Sequence, residues 1–341
     1  MKILILTIII IFLNKHCLAE DLFLTSFHNI EFISKNIDDD KIKKINKIKK
    51  KSILSIFKKT LLEKDYNEIS TNISNDRINT FIKNIIINDE NIINNKYISK
   101  IKINFDKEKI IDFYRSNTIP YVEYHPKKFL LIIYEKDPLN ENLFTKKNNY
   151  YKYFKNNFTD LNLFKIPNLD INDRYILKKI DISQRNFKKI KNFSNKYDSD
   201  EVIIVISEKN KKIKNYNLLL YSAEENLEKN IQLNNTKFDI FFKILEYETL
   251  NLWKQMNSIQ NEIVNTITCK VSYFNLLELK EIKKKLSNVS SIKKLHIKSL
   301  SYKNINYEIN YFGNFKILSN LFKLNQLKIN KYENTCIVGL L

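Results

Sequence analysis

Two aspartates in the middle of the chain, Asp170 and Asp173, are the first pair whose types and spacing could do chemistry. Paired carboxylates serve in general acid–base catalysis or bind hard cations. A calcium loop would need more oxygen ligands and a turn glycine, and the sequence has neither here. Aspartates at such positions commonly cap helices or stabilise turns. We therefore expect a capping or turn-stabilising role for this pair.

A second candidate combines Cys269 with His296, which could act as a thiol nucleophile and its base. With Cys336 added, the same residues could form a three-ligand zinc site. Both Cys269 and His296 lie in alternating strand patterns, and no CxxC or HxxxH spacing supports a metal. His125, followed by Pro126, is interpreted as the residue that enters a strand. We expect no catalytic residue, no metal site and no cofactor.

The glycine content excludes several enzyme classes. The chain has 2 glycines, Gly313 and Gly339. Phosphate-binding loops need several, because the backbone must approach the anion closely and adopt positive φ. A Walker loop, a GxGxxG turn and a GxSxG elbow are therefore excluded.

The first 20 residues have the parts of a secretory leader. Lys2 precedes an apolar segment over residues 3–13, and a polar end finishes in Cys17-Leu-Ala19. A membrane-spanning helix needs about 20 apolar residues, so this segment is short for an anchor. We expect cleavage before Glu20 and export to a bacterial periplasm. The alternative is an uncleaved segment that anchors the chain in the inner membrane.

The mature chain would keep two cysteines, Cys269 and Cys336, in an oxidising compartment. If they lie on the first and last strands of the C-terminal pattern described below, those strands are neighbours. A disulfide is then possible, although the sequence does not fix the Cα separation that a bridge requires.

The formal charge of +20 is the most prominent property of the composition. Lys, Asn and Ile, all encoded by AT-rich codons, are abundant throughout, which indicates a genomic bias. Residues 38–65 read as a long helix that contains seven lysines, Lys41, Lys43, Lys44, Lys47, Lys49, Lys50 and Lys51. They could form a basic surface for lipid headgroups or acidic partners. We favour the alternative, a solvated helix face.

Aromatic and basic residues interleave in KKNNYYKYFKNN, within residues 137–162. Such a pattern can bind single-stranded nucleic acid. Because an exported protein seldom meets that partner, we expect no nucleic acid and interpret residues 137–162 as a polar connector.

The elements that position these residues centre on residues 101–135. Alternation through Phe105 predicts a strand, Asp106 is placed to cap a short helix, and residues 129–134 form an apolar run typical of an interior strand. Before this stretch, residues 76–87 read as a helix and residues 96–105 as a strand. Farther on, residues 183–197 read as a helix capped by Ser183.

The last segment has the order βαββαβ, typical of a ferredoxin-like unit. The sequence does not decide whether residues 327–332 or 336–340 supply its last strand, and the two could form a hairpin. The fold class is α+β, with small mixed sheets covered by helices. The predicted divisions are the leader 1–19, an N-terminal domain 20–136, the connector 137–162, a middle domain 163–260 and the C-terminal unit 261–341.

Three groups of residues carry a resemblance to a known family. They are Phe105-Asp106 with Ile119-Pro120-Tyr121 and His125-Pro126; Pro167, Leu169, Asp170 and Asp173 with Asn195 to Tyr197; and residues 289–295 with Tyr311-Phe312-Gly313. On these residues the chain resembles exported proteobacterial proteins of a domain of unknown function, DUF 2066. Ile119 and Val122 depart from the Gly and aromatic residue expected at the first proline turn. The resemblance brings no catalytic or ligand residues.

The sequence thus predicts a non-catalytic binding or scaffolding component of the bacterial cell envelope, with envelope proteins as partners. One alternative is a basic protein that binds an anionic membrane surface or another polyanion. The other is an uncharacterised hydrolase, which would need a pocket that gathers Asp170, Asp173 or His125. The sequence predicts no oligomeric state.

Overall fold

A computed structural model of the chain describes residues 21–136, 141–157, 163–210, 213–222, 225–234 and 236–341. The predicted leader lies outside these residues, as do parts of the predicted connector. Within them the fold is mixed α+β with small sheets, which confirms the predicted class.

The strands of the described residues are, in chain order, β1 His28–Ile33, β2 Ile82–Ile93, β3 Lys96–Phe105, β4 Phe129–Lys136, β5 Glu141–Asn142, β6 Phe164–Lys165, β7 Glu201–Asn210, β8 Ile213–Ser222, β9 Glu225–Asn234, β10 Val264–Ser272, β11 Ile292–Ser301, β12 Asn304–Phe312, β13 Leu327–Tyr332 and β14 Thr335–Leu340.

The helices of the same residues are α1 Ile37–Thr60, α2 Glu63–Asn72, α3 Asn75–Phe81, α4 Lys107–Ser116, α5 Asn149–Asn157, α6 Ile171–Ile176, α7 Lys179–Ser183, α8 Phe187–Lys196, α9 Phe238–Asn257, α10 Leu276–Ser287 and α11 Phe315–Leu324.

These elements fall into two compact units. The first unit comprises described residues 21–61, 65–125 and 259–341, and the second comprises 62–64 and 126–258. The grouping differs from the predicted division, because the C-terminal segment belongs with the N-terminal elements. The boundary between the units also falls within residues 101–135, since His125 ends one part of the first unit and Pro126 begins the main part of the second.

The first unit contains a three-stranded antiparallel sheet in the order β1-β3-β2. In β3, alternate residues such as Tyr97, Ile101 and Ile103 are fully buried, and α1 packs on β1 and β3. The apolar side of α1 contributes Ile53 and Phe57 to this core. The alternation that predicted β3 therefore reflects a sheet with one covered face.

The second sheet of this unit has the order β11-β12-β10-β14-β13. Both segments proposed for the last strand are strands, and they form the hairpin β13–β14. In this hairpin β14 pairs with β10 in parallel, so it lies between β10 and β13. The predicted βαββαβ pattern is therefore extended by one strand.

The second unit is built on a sheet in the order β5-β4-β7-β8-β9, with β6 paired to β4. Strand β4 is buried from Phe129 to Glu135, as the apolar run predicted, and it pairs in parallel with β7. One face of the sheet packs against a core that includes Phe144 and Phe193, whose rings stack at 4.9 Å.

Part of the predicted connector is a structural element of this unit. Helix α5 contains buried aromatic residues, including Tyr150 and Tyr151. The Ile133 N–H of β4 donates to the Tyr151 hydroxyl at 2.8 Å, and Asn148 Nδ2 donates to the Ile133 carbonyl at 3.1 Å. These side chains bind backbone groups of β4 that no strand pairs at that point, so they protect an edge of the sheet.

Three predicted helices were wrong in part. The helix predicted over residues 38–65 ends at Thr60, and α2 begins at Glu63. The helix predicted over residues 76–87 ends at Phe81, where β2 begins, because the isoleucine-rich part pairs with β3. The helix predicted over residues 183–197 begins only at Phe187, the first residue of α8. Ser183 ends α7 instead of capping a helix, and Asn186 caps α8 by accepting from the Lys189 N–H.

Candidate functional site

The carboxylate pair has the capping role that its sequence context predicts. Asp170 is the N-cap of α6 and accepts a hydrogen bond from the Asp173 N–H at 2.8 Å. Asp173 is fully buried, and its carboxylate accepts the Leu169 N–H at 2.8 Å. Because Leu169 has a φ of +63°, this bond stabilises a turn that an ordinary residue rarely adopts.

Two further donors from the end of α8 bind the same carboxylate. Lys196 Nζ lies 2.7 Å from Asp173 Oδ1, and the Tyr197 hydroxyl donates to the same oxygen at 2.5 Å. The hydrogen bond to Asp173 raises the pKa of Lys196. Burial, and then the hydrogen bond from the Tyr197 hydroxyl to Asp173, raise the pKa of Tyr197 to about 12. A buried carboxylate with three donors is suited to joining the α6 turn to α8 and has no surface for a substrate.

His125 is assigned to the first unit, and Asp170 and Asp173 are assigned to the second. The proposed pairing of Cys269 with His296 is not formed. Strand β12 separates Cys269 on β10 from His296 on β11, because His296 pairs with Glu308 and Cys269 pairs with Tyr307. Among the residues that the structure describes, no group of three or more His, Cys, Asp or Glu could hold a metal ion.

The two cysteines, in contrast, come together. Cys269 and Cys336 are register partners in the parallel strands β10 and β14, with Cα atoms 4.3 Å apart and sulfurs joined in disulfide geometry. Both side chains are almost completely buried. Their meeting depends on β14, the strand whose assignment the sequence left open.

Five of the seven lysines on α1 lie on its solvent side. At about 3.6 residues per turn, Lys43, Lys44, Lys47, Lys50 and Lys51 fall opposite the buried stripe that includes Ile53 and Phe57, and all five are exposed. Lys43 forms an ion pair with Asp40, and Lys44 lies over the Phe32 ring.

The other three, Lys47, Lys50 and Lys51, form no ion pair with any described residue. Burial, and then the positive charge of Lys51, lower the pKa of His28, so the Lys51 charge affects the His28 ring. The exposed set, Lys43, Lys44, Lys47, Lys50 and Lys51, is hereafter the α1 basic surface.

The remaining two lysines are directed elsewhere. Lys41 Nζ binds Glu90 at 2.5 Å, and Lys49 Nζ donates to the Asn79 side chain at 3.0 Å. Both contacts join α1 to the other elements of its own unit. The predicted row of seven lysines thus divides into five that face solvent and two with internal partners.

A groove that the sequence analysis missed lies between α2, α3 and the end of α4, with a volume of about 570 Å³. Half-buried Ile69, Ile73 and Phe113 form its apolar lining, and the Arg77 guanidinium lies 5.1 Å from the Phe113 ring centroid. Its rim carries both signs of charge, which does not select one ligand class. Helix α2 was not predicted, because the helix predicted over residues 38–65 extends into its first turn.

No helix among the described residues is long and apolar enough to cross a membrane. No family model matches the chain, and no curated protein matches it. Among solved structures it is similar to the LpoB C-terminal domain from Salmonella enterica, with a TM-score of 0.22 and 9% identity over 32% of this chain and 84% of that one. A similarity at this level carries no argument about function.

Proposed function

We propose that this protein is an exported, non-catalytic binding or scaffolding component of the bacterial cell envelope. The observation that carries the proposal is the Cys269–Cys336 pair, held in bonding geometry inside the second sheet of the first unit. Disulfides persist in oxidising compartments and are rare in a reducing cytosol. The leader pattern of residues 1–19 supplies the route to the periplasm.

The non-catalytic part of the proposal draws support from the candidate acids and bases. Asp170 caps α6, and Asp173 is saturated by donors from its own unit. His296 is separated from Cys269 by a strand. Asp170 and Asp173 are used to hold the fold, so a hydrolase would need groups that neither the sequence nor the geometry indicates.

We also propose that the chain is related to the DUF 2066 proteins that it resembles. Residues of the resemblance occupy positions that define turns, such as Asp106, which caps α4, and Asp170 with Asp173 at the start of α6. Residues of this kind are suited to maintaining a fold, and they give no information about a ligand.

Crosslinking in intact cells tests the proposed role. A crosslinker that does not pass the inner membrane is applied to cells that express the tagged chain, followed by denaturing purification. We expect adducts with specific envelope proteins from the full chain and none from a variant that lacks residues 1–19. Equal adducts from both chains, or none from the full chain, would contradict the proposal.

The α1 basic surface supports a second candidate function, binding to an anionic membrane surface. Its lysines project from one side of a helix that is anchored to the sheet by its apolar side. Each exposed lysine adds an attraction that salt weakens, because the Debye length shortens as ionic strength rises.

Vesicles of phosphatidylglycerol mixed with phosphatidylcholine test this candidate by flotation at low and high salt. The triple variant Lys47→Gln, Lys50→Gln and Lys51→Gln should float less and lose most of the salt dependence. The control Lys41→Gln with Lys49→Gln removes two lysines from the same helix that have internal partners. Equal losses in both variants, or flotation insensitive to salt, would exclude the α1 basic surface as the cause.

A further inference from the structure

Five large apolar side chains protrude from one end of the second sheet of the first unit. Phe274, Leu276, Leu277, Leu300 and Tyr302 are between 69% and 84% exposed. We call these five residues the apolar tip. Exposed apolar residues scattered singly are ordinary, but a local group of this size marks an interaction site.

The topology brings these residues to the same end of the sheet. Strand β10 ends at Ser272, which pairs with Asn304 at the start of β12, and β11 ends at Ser301 opposite the same Asn304. The two connections are also bound to each other, because the Tyr273 N–H donates to the Lys303 carbonyl at 3.0 Å. The loop that carries Phe274 therefore lies beside the hairpin that carries Tyr302.

Local hydrogen bonds hold the leucines of the apolar tip in place. Asn275 caps α10 by accepting from the Glu278 N–H at 2.9 Å, and Glu278 accepts from the Phe274 N–H at 2.7 Å. Helix α10 buries Leu279, Ile282 and Leu286 on its inner side. Leu276 and Leu277 lie outside that buried stripe, so they are displayed at the start of the helix and do not belong to the core.

Positive charge surrounds the apolar tip. Lys280, Lys284 and Lys303 are exposed, and Lys303 Nζ lies 5.2 Å from the Tyr302 ring centroid. Of the neighbouring acids, Glu281 forms an ion pair with Lys285 at 2.8 Å, and Glu278 accepts the Phe274 N–H and keeps its negative charge. Aromatic and leucine side chains flanked by lysines are typical of protein segments at a membrane–water interface.

We propose that the apolar tip inserts into the headgroup region of a bilayer that contains anionic lipid. The tip is formed by the end of β11, the turn that follows it, the β10–α10 connection and the first turn of α10, and its five side chains are largely exposed to solvent. The flanking lysines complement an anionic lipid surface. This site is separate from the α1 basic surface and does not depend on the proposed export.

A tryptophan added at the apolar tip tests insertion directly. Tyr302→Trp places an indole at the apolar tip, while the native Trp253 is buried and supplies a constant background. With vesicles of phosphatidylglycerol and phosphatidylethanolamine, we expect the added emission to shift to the blue and to be quenched by lipids brominated on the acyl chain. The wild-type emission should change little.

Two matched variants check that the apolar side chains drive binding. Phe274→Ser with Leu277→Ser should weaken partitioning into the same vesicles by about tenfold or more, because two apolar side chains that enter the bilayer are lost. Ile171→Ser with Tyr175→Ser removes two apolar side chains of similar exposure, 65% and 74%, from the second unit and should leave partitioning unchanged. Circular dichroism establishes that each variant is folded.

Two results would overturn the proposal. The first is a Tyr302→Trp protein that sediments with vesicles but shows neither a blue shift nor quenching by brominated lipid. The second is a blue shift without vesicles that grows with protein concentration, because the apolar tip would then be covered by a second copy of the chain.

Discussion

Asp170 and Asp173 lie one helical turn apart and have different environments. Asp170 is an N-cap at the surface, whereas Asp173 is buried with a backbone N–H, an ammonium and a phenol as donors. The sequence predicted a structural role for the pair from residue type and spacing. It could not predict the burial of Asp173, because Lys196 and Tyr197 come from α8, more than 20 residues away.

The two aspartates should therefore respond differently to the same substitution. Asp173→Asn should lower the free energy of unfolding by about 2 kcal/mol, because it removes the charge that Lys196 and Tyr197 bind. Asp170→Asn should change it little, since Asn caps a helix as well as Asp and the exposed contact to Lys196 contributes little. Urea unfolding of both variants measures the difference. Equal effects would contradict the assigned roles.

The cysteine pair gives a second prediction at the residue scale. A bridge between Cys269 and Cys336 would close 67 residues, and the double variant Cys269→Ala with Cys336→Ala should lose about 3 kcal/mol of unfolding free energy. Reductant should lower the stability of the oxidised wild type and leave the double variant unchanged. A wild type that is insensitive to reductant under conditions that unfold it would show that the thiols are free.

At the scale of elements, the sequence predicted strands whose pattern was set by their own burial. Residues 96–105 alternate because one face of β3 is covered, and the apolar run of β4 reflects burial on both faces. Strand β9 was missed because it is largely polar, although Leu227, Ile231 and Leu233 keep the period of two that could have identified it. Residues 82–87 were misassigned because their apolar spacing also suits a helix and only pairing with β3 decides.

Turns show how this chain manages with few glycines. Within the described residues, ten non-glycine residues have a positive φ. One glycine, Gly313, also has a positive φ, at +79°. Four of the ten, Asp89, Asn94, Asn95 and Asp198, are Asn or Asp, the types that tolerate the left-handed region best. Composition therefore did not remove tight turns. It changed the residues that form them.

The two glycines should differ when each is replaced by alanine. Gly313→Ala should cost about 1 kcal/mol, because an L-residue is strained at this φ and its Cβ would lie 3.2 Å from Ile317 Cδ1. Gly339→Ala meets no atom within 4 Å and should be neutral or stabilising by about 0.5 kcal/mol. Thermal unfolding of the two variants measures this. A larger loss at Gly339 would show that the turn geometry at Gly313 is misassigned.

At the scale of the molecule, the sequence predicted the class of fold and missed how segments distant along the chain are grouped. Grouping depends on non-local contacts such as the bridges from Leu61 to Tyr121 and from Tyr121 to Ile259. No local pattern encodes these contacts. The same holds for the apolar tip, whose residues come from the end of β11, the start of α10 and the connections beside them, which are adjacent only after the sheet forms.

Buried tyrosines make stability depend on high pH. Burial is the largest cause that raises the pKa of Tyr134, Tyr197 and Tyr221 to about 12 in the folded protein. An unfolded tyrosine ionises near pH 10, so this stabilisation is fully present below about pH 10 and is lost as the pH rises toward 12. The free energy of unfolding should fall across that window.

Absorbance of tyrosinate, followed together with circular dichroism, measures the effect. The buried tyrosines should ionise above pH 10, as the helical signal is lost. A single ionisation near pH 10 with the secondary structure intact would contradict the burial of these side chains.

The central claim is that the chain is exported and folds around an oxidised cysteine pair. The most direct test is to trap free thiols with an alkylating agent in cells that express the full chain, release the periplasm by osmotic shock and weigh the intact protein by mass spectrometry. We expect a periplasmic protein that begins at Glu20 and has no alkylated cysteine until it is reduced. A cytosolic protein that begins at Met1 and is alkylated at both Cys269 and Cys336 without reductant would contradict it.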